Sequence, residues 1–596
     1  MSVEKLIVDH METWTSALQT RSTAGRGSSG KIELYGIKKL RELILELAVR
    51  GKLVPQDPND EPASELLKRI AAEKAELVKQ GKIKKQKPLP EISEEEKPFE
   101  LPEGWEWVRL GNIAEYIQRG KGPKYSENGT VRVVSQKCVQ WSGFKLEQSR
   151  WITDESIPSY TEERFLKNGD VLWNSTGAGG TAGRVNFLET VKERLVVDSH
   201  VTIIRSIKQN GQFICNYIST YGIQQLFDPK HPKTLLSGTT NQAELNTSVV
   251  ISFITPFPPQ KEQERINTKV IELMSLCDQL EQQSLSSLDA HQQLVETLLG
   301  TLTDSQNAEE LAENWARINE HFDTLFTTEA SVDALKQTIL QLAVMGKLVP
   351  QDPNDEPASE LLKRIAQEKA QLVKEGKIKK QKPLPPISDE EKPFELPEGW
   401  EWCRIDDLTF VSGGIQKQPK RRPVKNHFPY LRVANVQRGD INIDKLERFE
   451  LEPHELAFWS LEKNDILIVE GNGSADEIGR CAIWHAPIEK CVYQNHLIRV
   501  RGIIEGYQEF IALYLNSPSG IKEMQRLAVT TSGLYNLSVG KIRGITIPLP
   551  PLNQQNLILS RIREYILVCE NLKTSTQSAQ QTQVHLVDAL TDAAVN

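Results

Sequence analysis

Several polar loops between short apolar segments carry arginine, lysine, asparagine and glutamine side chains. Two of these loops are rich in cations, QRGKGPKYSENG at 118–129 and SGGIQKQPKRRPVKN at 412–426. Arg and Lys can bond guanine O6 and N7, and Asn and Gln can pair with adenine N6 and N7. Glycine allows close backbone approach to phosphate, and hydroxyls bond phosphate oxygens. As a set the loops are chemically suited to contact DNA, although any single side chain could be an ordinary exposed loop residue.

The candidate DNA-binding residues form two groups of polar loop residues. The first group comprises Arg119, Lys121, Lys124, Tyr125, Gln136, Lys137, Asn174, Ser175, Lys233, Thr239, Thr240 and Asn241. The second comprises Gln416, Lys417, Lys420, Arg421, Arg422, Asn435, Gln437, Arg438, Asn472, Ser474, Thr530, Tyr535 and Asn536. The basic run between Lys417 and Lys425 suggests a grip on the DNA backbone. We therefore expect Arg421→Ala with Arg422→Ala to weaken binding to every sequence and to flatten its salt dependence.

Enzyme motifs are missing from the sequence. GAGGTAG at 177–183 resembles a dinucleotide loop, but GRVNFL follows it where such a loop requires a helix. There is no G-x-x-x-x-G-K-[ST] loop for ATP, no N-P-P-F or D-P-P-Y for base methylation and no evident nucleophile–base set. The seven cysteines are scattered without metal-ligand spacing. We predict no catalytic residue, cofactor or metal in this chain, and a soluble, cytoplasmic protein with reduced thiols.

The elements that must position the loops occur twice. Residues 47–107 reappear at 342–402, and only six of the 61 positions differ. Within each copy, PQDPNDEP is a turn and ASELLKRIA begins a predicted helix, which spans 63–80 in the first copy. KIKKQKPLP, which follows this helix, has the composition of an exposed arm, and contact of its lysines with phosphate is the alternative. Further helices are predicted over 3–19 and 37–49, and Gly51 is a plausible helix stop.

The segments that follow each copy differ in sequence but share the same pattern of short stretches. Short β-rich stretches broken by Gly, Asn and Ser predict a mixed domain with a substantial sheet in each. We name residues 102–258 the first insert and 397–551 the second insert. Aligned by eye, the shared positions favour a structural role, because residues that read different bases should differ. The matched pairs are Arg132 with Arg432, Asp170 with Asp465, Gly183–Arg184 with Gly479–Arg480, and His200 with His496.

Each insert leads into a predicted long helix with heptad spacing. Apolar residues fall at Ile266, Val270, Leu273, Cys277 and Leu280 in the first helix, and at Ile558, Ile562, Tyr565, Cys569 and Leu572 in the second. So narrow a stripe requires a partner helix. The simplest partner is the other copy, with the two helices antiparallel within one chain.

Net charge gives no global sign of nucleic-acid binding, since the chain carries −8 at pH 7. The first insert has 17 Lys and Arg against 15 Asp and Glu, and the second has 19 of each. The acidic excess therefore lies outside the inserts, and a local basic surface on either insert is compatible with the composition.

The order of these segments resembles the specificity (S) subunit, HsdS, of Type I restriction–modification enzymes. The resemblance depends on LPEGWEW, a β-rich insert, P-x-P-P-x-x-x-Q and a heptad helix, all occurring twice along nearly the whole chain. The run GKLVPQDPNDEPASELL is similar to the type IB subfamily. The resemblance implies that each insert is a target recognition domain for one half of a split, asymmetric DNA site. It also implies that the helices set the distance between the half-sites.

The same resemblance implies partners and a division of chemistry between subunits. The expected partners are double-stranded DNA, two methyltransferase (M) subunits and two restriction/translocase (R) subunits, without a membrane. S-adenosylmethionine would be bound by M, and ATP and Mg by R. A structural coiled-coil adaptor that binds protein or RNA is the main alternative, and a stand-alone nucleotide-dependent enzyme is a weaker one.

The expected fold class is α+β, with two mixed α/β target recognition domains in pseudo-twofold arrangement, joined by long antiparallel coiled-coil helices. Six segments are predicted along the chain. They are an N-terminal helical region with the first repeat copy (1–101), the first insert (102–258), a helical spacer and connector (259–330), the second repeat copy (331–396), the second insert (397–551) and a C-terminal coiled-coil helix (552–596).

Overall fold

The protein forms two compact units. The computed structural model describes residues 3–21, 31–177, 180–208, 210–238, 243–531 and 534–595. Unit 1 comprises Met1–Gln19, Ile32–Leu285 and Gln580–Asn596, and unit 2 comprises Thr20–Lys31 and Ser286–Ala579. Within the described ranges no helix combines the length and apolarity needed to cross a membrane.

Helices and short strands precede the first insert. The elements are α1 (Val3–Asp9), α2 (Met11–Ser16), β1 (Gln19–Arg21), β2 (Lys31–Glu33), α3 (Tyr35–Val49) and α4 (Ala63–Lys79). The single helix predicted over 3–19 is divided at His10. The predictions for 37–49 and 63–80 are confirmed to within two residues. Gly51 has a φ of +67°, a left-handed conformation suited to glycine, and follows the end of α3 as predicted.

The first insert is built on two four-stranded sheets. Its elements are β3 (Glu106–Arg109), α5 (Leu110–Ile113), β4 (Ala114–Arg119), β5 (Tyr125–Ser126), β6 (Arg132–Val134), β7 (Val139–Gln140), β8 (Gly143–Phe144), β9 (Arg150–Ile152), β10 (Val171–Asn174), β11 (Val185–Phe187), β12 (Leu195–Val197), β13 (Val201–Ser206), α6 (Gly211–Ile218), α7 (Tyr221–Gln225), α8 (Thr247–Ser252) and β14 (Ile254–Phe257). One sheet has the antiparallel order β11-β10-β13-β4, and the other, mixed in direction, has the order β12-β6-β9-β5. Strand β10 is buried along its whole length, because both of its faces are covered.

Helices connect the two inserts. They are α9 (Gln260–Asp304), α10 (Ala308–Glu320), α11 (Phe322–Leu325), α12 (Glu329–Val344) and α13 (Ala358–Lys374). The second insert follows, with β15 (Glu401–Arg404), α14 (Ile405–Leu408), β16 (Thr409–Gly413), β17 (His427–Leu431), β18 (Glu447–Glu450), α15 (Pro453–Trp459), β19 (Asp465–Val469), β20 (Gly471–Asn472), β21 (Cys481–Trp484), β22 (Val492–Tyr493), β23 (Leu497–Gly502), α16 (Gln508–Asn516), α17 (Pro518–Leu527), β24 (Val529–Thr531), β25 (Leu534–Asn536), α18 (Val539–Gly544) and β26 (Thr546–Leu549). The chain ends in α19 (Leu552–Val595).

The two inserts share one sheet topology despite their unlike sequences. The order β16-β23-β19-β21 in the second insert repeats β4-β13-β10-β11 in the first. In both inserts the first and last strands pair with each other, β3 with β14 and β15 with β26. The predicted α+β class with two sheet-containing domains is confirmed, whereas the six segment boundaries remain predictions.

The repeat anchors each insert to its long helix through the first tryptophan of LPEGWEW. Trp105 Nε1 donates to Glu262 Oε2 at 2.9 Å, at the start of α9. Its counterpart Trp400 donates from Nε1 to Gln554 Oε1 at 2.8 Å, at the start of α19. Both indole rings are buried, so each bond fixes the beginning of a long helix against its insert.

The heptad prediction is confirmed in the first long helix and corrected in the second. All five predicted positions of α9 are buried. In α19, Ile558, Ile562 and Cys569 are buried, but Tyr565 is 37% exposed and Ile566 packs against the core in its place. The burial follows the 3.6-residue period of a straight helix at this point rather than a strict heptad.

The repeat helices α3 and α12 are neighbours of the long helices that the sequence did not indicate. In unit 1, Arg41 of α3 bonds Asp278 and Glu281 of α9, each at 2.6 Å. In unit 2 the buried apolar core combines residues of α9, α12 and α19. They include Val295, Leu299, Leu335, Ile339, Ile558 and Ile562. Direct antiparallel pairing of α9 with α19 as a coiled coil remains a prediction.

Candidate nucleic-acid interface

Four segments of the first insert meet at the edge where β10 ends. Ser175 N–H donates to the carbonyl of His200 at 2.8 Å, and Leu245 N–H donates to the carbonyl of Ser175 at 2.7 Å. Gly120 N–H reaches the carbonyl of Val201 at 3.0 Å. We name this edge the first junction. It consists of residues 119–121, 174–176, 198–201 and 244–245.

The second insert has an equivalent edge where β19 ends. Glu470 N–H donates to the carbonyl of His496 at 2.9 Å, and Leu537 N–H donates to the carbonyl of Glu470 at 2.7 Å. Asn495 N–H bonds the carbonyl of Ile415 at 2.9 Å. We name this edge the second junction. It consists of residues 413–415, 469–471, 494–497 and 536–537.

The shared backbone bonds match the inserts residue by residue. Because Ser175 and Glu470 bond His200 and His496 in the same way, the predicted match of the two histidines is confirmed. The match of the Gly–Arg pairs is also confirmed. The carbonyls of Arg184 and Arg480 accept equivalent bonds at 2.8 Å from the residues that precede Ser175 and Glu470.

The predicted match of Arg132 with Arg432 is wrong by three residues. Asp198 N–H bonds the carbonyl of Val134 at 3.0 Å, and the equivalent Gln494 N–H bonds the carbonyl of Leu431 at 2.9 Å. Leu431 therefore corresponds to Val134, which pairs Arg432 with Ser135 rather than with Arg132.

Asp170 and Asp465 build the inserts, as the sequence interpretation favoured. Asp170 is fully buried and accepts two bonds of 2.7 Å from the guanidinium of Arg205. Asp465 accepts bonds of 2.7 and 2.6 Å from Arg501. A buried carboxylate paired in this way cannot approach a ligand, so both aspartates are structural.

The first junction carries charges of both signs. Arg119 is ion-paired with Glu244, and burial lowers the pKa of this guanidinium. Burial raises the pKa of Asp198, while the His200 N–H bond at 2.8 Å acts in the opposite direction. Thr176 Oγ1 and His200 Nδ1 lie 2.6 Å apart, within hydrogen-bond distance. The edge can therefore both donate and accept hydrogen bonds.

Asn174 and Ser175 are removed from the candidates. Neither has exposed surface. Asn174 Nδ2 donates to the carbonyls of Gln136 and Val139 at 3.2 and 3.3 Å, and Ser175 Oγ bonds Thr202. A side chain without exposed surface cannot reach a base edge, so both residues hold the fold of the first insert.

The remaining candidates of the first insert are distributed around the sheet surface. Lys121 is exposed, with Nζ 5.6 Å from the centre of the Tyr160 ring. Tyr125 is 42% exposed, and the guanidinium of Arg150 lies 3.8 Å from the centre of its ring. The other described candidates are Lys124, Lys137 and Lys233, which are exposed, and Gln136, which is half-buried. Thr239, Thr240 and Asn241 lie outside the described residues.

We name residues 416–426 of the second insert the basic loop. One of its arginines is paired with a carboxylate, whereas other cations of the loop are exposed. Arg421 forms two bonds with Glu455, at 2.6 and 2.8 Å, and this pair holds the pKa of Glu455 at about 2. Arg421 is thus occupied by a carboxylate, which corrects its assignment to the backbone grip. Arg422 and Lys425 are exposed.

Two further candidates begin the basic loop. Gln416 is exposed, and so is Lys417, whose Nζ lies 3.6 Å from Glu447. The side chain of Lys420 lies outside the described part of the structure, as does that of Thr530. Because Ile415 belongs to the second junction, the loop leaves the insert at that junction.

Asn435 and Gln437 also have structural partners. Asn435 is 5% exposed and donates to the carbonyl of Asn442 at 3.0 Å, so it is removed from the candidates. Gln437 is exposed, but its Oε1 accepts a bond from Arg480 at 3.4 Å. Gln140 and Arg184 make the same contact in the first insert, which indicates a shared structural role.

The other candidates of the second insert border the second junction. Asn472 pairs with Tyr535 in the β20–β25 ladder, and Asn536 pairs with the residue before Asn472. Ser474 N–H donates to Asn472 Oδ1 at 3.1 Å. These four side chains are half-buried. They lie in the ladder and turn that directly follow Glu470 in the chain.

Two kinds of residue were not predicted from the sequence, an exposed aromatic of the first insert and the glutamates of the two junctions. Trp141, 54% exposed at the turn between β7 and β8, corresponds to Arg438, which is half-buried with a pKa lowered by burial. The sequence feature that could have indicated Trp141 is an aromatic residue within the polar run QWSG. Glu244 and Glu470 were missed because only cations, amides and hydroxyls were considered as readers of bases.

The dinucleotide-like sequence is not followed by the element that nucleotide binding requires. Residues 185–187, beyond the Gly183–Arg184 pair, form strand β11, which pairs with β10. The pyrophosphate of a dinucleotide needs a helix N-terminus at this point. Rejection of nucleotide binding by GAGGTAG is therefore supported for the residues that the structure describes.

Comparison with known proteins gives consistent matches. The family described as Type I restriction modification DNA specificity domain matches residues 102–290 and 397–581. The chain is 52% identical over 614 aligned residues to the Type I restriction enzyme EcoAI specificity subunit of Escherichia coli, covering all of both chains. It is 49% identical over 627 residues to the EcoEI specificity subunit of Escherichia coli, again over both full lengths. The crystal structure of the HsdS subunit from Thermoanaerobacter tengcongensis is 17% identical, covers 84% of this chain and 98% of its own, and has a TM-score of 0.37.

Proposed function

From the premise that this chain belongs to the specificity subunits of Type I restriction–modification enzymes, we propose that its two inserts read the two halves of a split DNA site. The subunit is non-catalytic and supplies sequence specificity. The half-sites differ because the inserts differ, so the complete site is asymmetric. A symmetric dimer would instead require a palindromic site.

The observation that carries this proposal is the pair of junctions. Both inserts use one sheet topology and the same backbone bonds, yet they place different side chains at equivalent points. The half-buried Glu470 replaces the buried Ser175, and beyond the named junction residues the half-buried Arg438 replaces the exposed Trp141. A shared scaffold with unlike side chains at equivalent points is what two readers of different base sequences require.

Exposed cations of the two inserts would supply the affinity that is independent of sequence. In the first insert they are Lys121, Lys124, Lys137 and Lys233. In the second they are Lys417, Arg422 and Lys425. Each phosphate that such a cation neutralises releases condensed counterions, so binding should weaken steeply with salt. Base contacts from the junctions would add specificity to this background.

Methylation and cleavage would belong to partner subunits. We propose that the chain assembles in the cytoplasm with two methyltransferase subunits, which bind S-adenosylmethionine, and with two restriction/translocase subunits, which use ATP and Mg. The missing ATP-loop and methyltransferase motifs support this division. The repeated segments, nearly identical in the two halves of the chain, suit the binding of two copies of one partner.

The test is to co-express the chain with the methyltransferase subunit of its own system and to map methylated adenines across a genome. We expect one motif with two unlike half-sites and a fixed spacer. Replacement of the second insert by that of another specificity subunit should change one half-site and leave the other. A continuous or palindromic motif would overturn the proposal, and so would sequence-independent methylation.

A further inference from the structure

Glu470 has a backbone position identical to that of Ser175 but a different side-chain environment. Both residues directly follow the central strand of their sheet, and both are bonded on each side by the same junction segments. The side chain is therefore the difference between the two sites. Any functional distinction at this point must come from the carboxylate that replaces the hydroxyl.

The interior of the second insert cannot accept this carboxylate. In the first insert Ser175 bonds inward to Thr202, whereas strand pairing places the apolar Ile498 at the position of Thr202. A carboxylate turned toward Ile498 would lose its hydration without compensation. The Glu470 side chain remains 30% exposed instead, with Oε2 3.7 Å from Nδ1 of His496.

The surroundings of Glu470 point to a ligand that donates hydrogen bonds. Burial raises the pKa of its carboxyl group, and the neighbouring His496 opposes this shift. Asn472, Tyr535 and Asn536 pair in the β20–β25 ladder that directly follows Glu470, and the basic loop leaves the same junction after Ile415. A carboxylate beside phosphates repels every DNA sequence, and this repulsion is offset only where a base presents an amino group.

We propose that Glu470 is a specificity-determining residue of the second insert and that its carboxylate accepts a hydrogen bond from the N4 amino group of a cytosine. This inference rests on the proposed function, since it assumes that the second junction faces DNA. His496 is a positioning residue that holds the carboxylate at the edge. Ser175 at the equivalent point of the first insert is buried, so this contact belongs to one half-site alone.

The experiment uses the full chain co-expressed with its methyltransferase subunit, as wild type and as Glu470→Gln. Genome-wide methylation is mapped, and binding of the purified complex is measured on duplexes that vary each base pair singly. We expect Glu470→Gln to relax one G·C position in one half-site, with discrimination there falling about tenfold or more. The other half-site should be unchanged, because its contacts come from the first insert.

Two variants make the result specific. His496→Gln should relax the same base pair, an effect that a general loss of folding would not produce. Glu505→Gln is the matched control, an exposed glutamate beyond the opposite end of strand β23, and it should retain wild-type discrimination at every position. Thermal unfolding of each complex checks that the variants are folded.

The outcomes separate this inference from the proposed function. If Glu470→Gln keeps wild-type discrimination everywhere, or relaxes an A·T pair or both half-sites, the role assigned to Glu470 is wrong while the proposed function stands. If the wild-type complex itself shows no split motif, the proposed function fails, and the inference fails with it.

Discussion

Asp170 and Arg205 form a buried ion pair in which each carboxylate oxygen lies 2.7 Å from a guanidinium nitrogen. The pair joins the start of β10 to β13, and Asp465 with Arg501 repeats it in the second insert. Replacement of one partner leaves an uncompensated buried charge, which typically costs about 3–5 kcal/mol. We therefore expect Asp170→Asn to lower the opening free energy of β10 and β13 by about that amount, measured by hydrogen exchange with mass spectrometry.

The second insert supplies the control for this prediction. Asp465→Asn should increase exchange in β19 and β23 and leave β10 and β13 unchanged, because each pair lies within its own unit. A change below about 1 kcal/mol in both variants, the size of an exposed pair, would show that these pairs do not stabilise the sheets.

The correspondence of the aspartates and of the histidines between the two inserts could be predicted, because these residues lie in short stretches of similar sequence. The Arg132–Arg432 match failed because VRVV and YLRVA look alike locally, while the true register is set by strand pairing with β12 and β22 about 60 residues farther along the chain. Similarly, nothing near Arg421 indicates that Glu455 will bind it, and nothing near Asn174 indicates that its side chain will be buried. Such long-range contacts decide which polar residues remain available to a ligand.

The exposed cations of the basic loop should control the salt dependence of DNA binding. Since Arg421 is bound by Glu455, the informative variant is Arg422→Ala with Lys425→Ala. We expect weaker binding to every sequence, and a slope of log affinity against log salt that is reduced by roughly 0.9 for each phosphate that the variant no longer neutralises. The measurement is a salt titration of the purified complex on specific and nonspecific duplexes.

Lys463→Ala with Lys490→Ala is the matched control for charge. Both lysines are exposed in the same insert, and Lys463 precedes β19, whose other end forms the second junction. This control should leave the slope nearly unchanged. Equal slopes for the basic-loop variant and wild type would place the DNA elsewhere on the insert.

Acid should loosen the basic loop through Glu455. Arg421 holds the pKa of Glu455 at about 2, below its usual value of 4.5, so the pair stabilises the folded loop above pH 4.5. This stabilisation is lost progressively as pH falls from 4.5 toward 2. Hydrogen exchange of residues 418–422, corrected for intrinsic rates, should therefore rise over that range. Residues 424–426 respond to a second group, because their N–H groups donate to Glu450, whose pKa is lowered by those bonds.

Glu455→Gln removes the titrating group without changing the shape of the side chain. In this variant exchange of residues 418–422 should already be raised at pH 6 and should lose most of its dependence between pH 4.5 and 2. Identical pH profiles for variant and wild type would mean that another group governs the loop.

The long helices should set the spacer between the half-sites. Both helices pass from one unit to the other, α9 after Leu285 and α19 after Ala579. Insertion of four residues after Gln282, with four more after Ala579 to keep the helices matched, adds about 6 Å at 1.5 Å per residue. At about 3.4 Å per base pair, the spacer of the methylated motif should lengthen by about two base pairs while both half-sites stay the same.

Methylome mapping measures the half-sites and the spacer together. As a control, insertion in α9 alone should impair activity, because it puts the two helices out of register. If the matched insertion keeps full activity with the original spacer, the helices do not determine the distance between the half-sites.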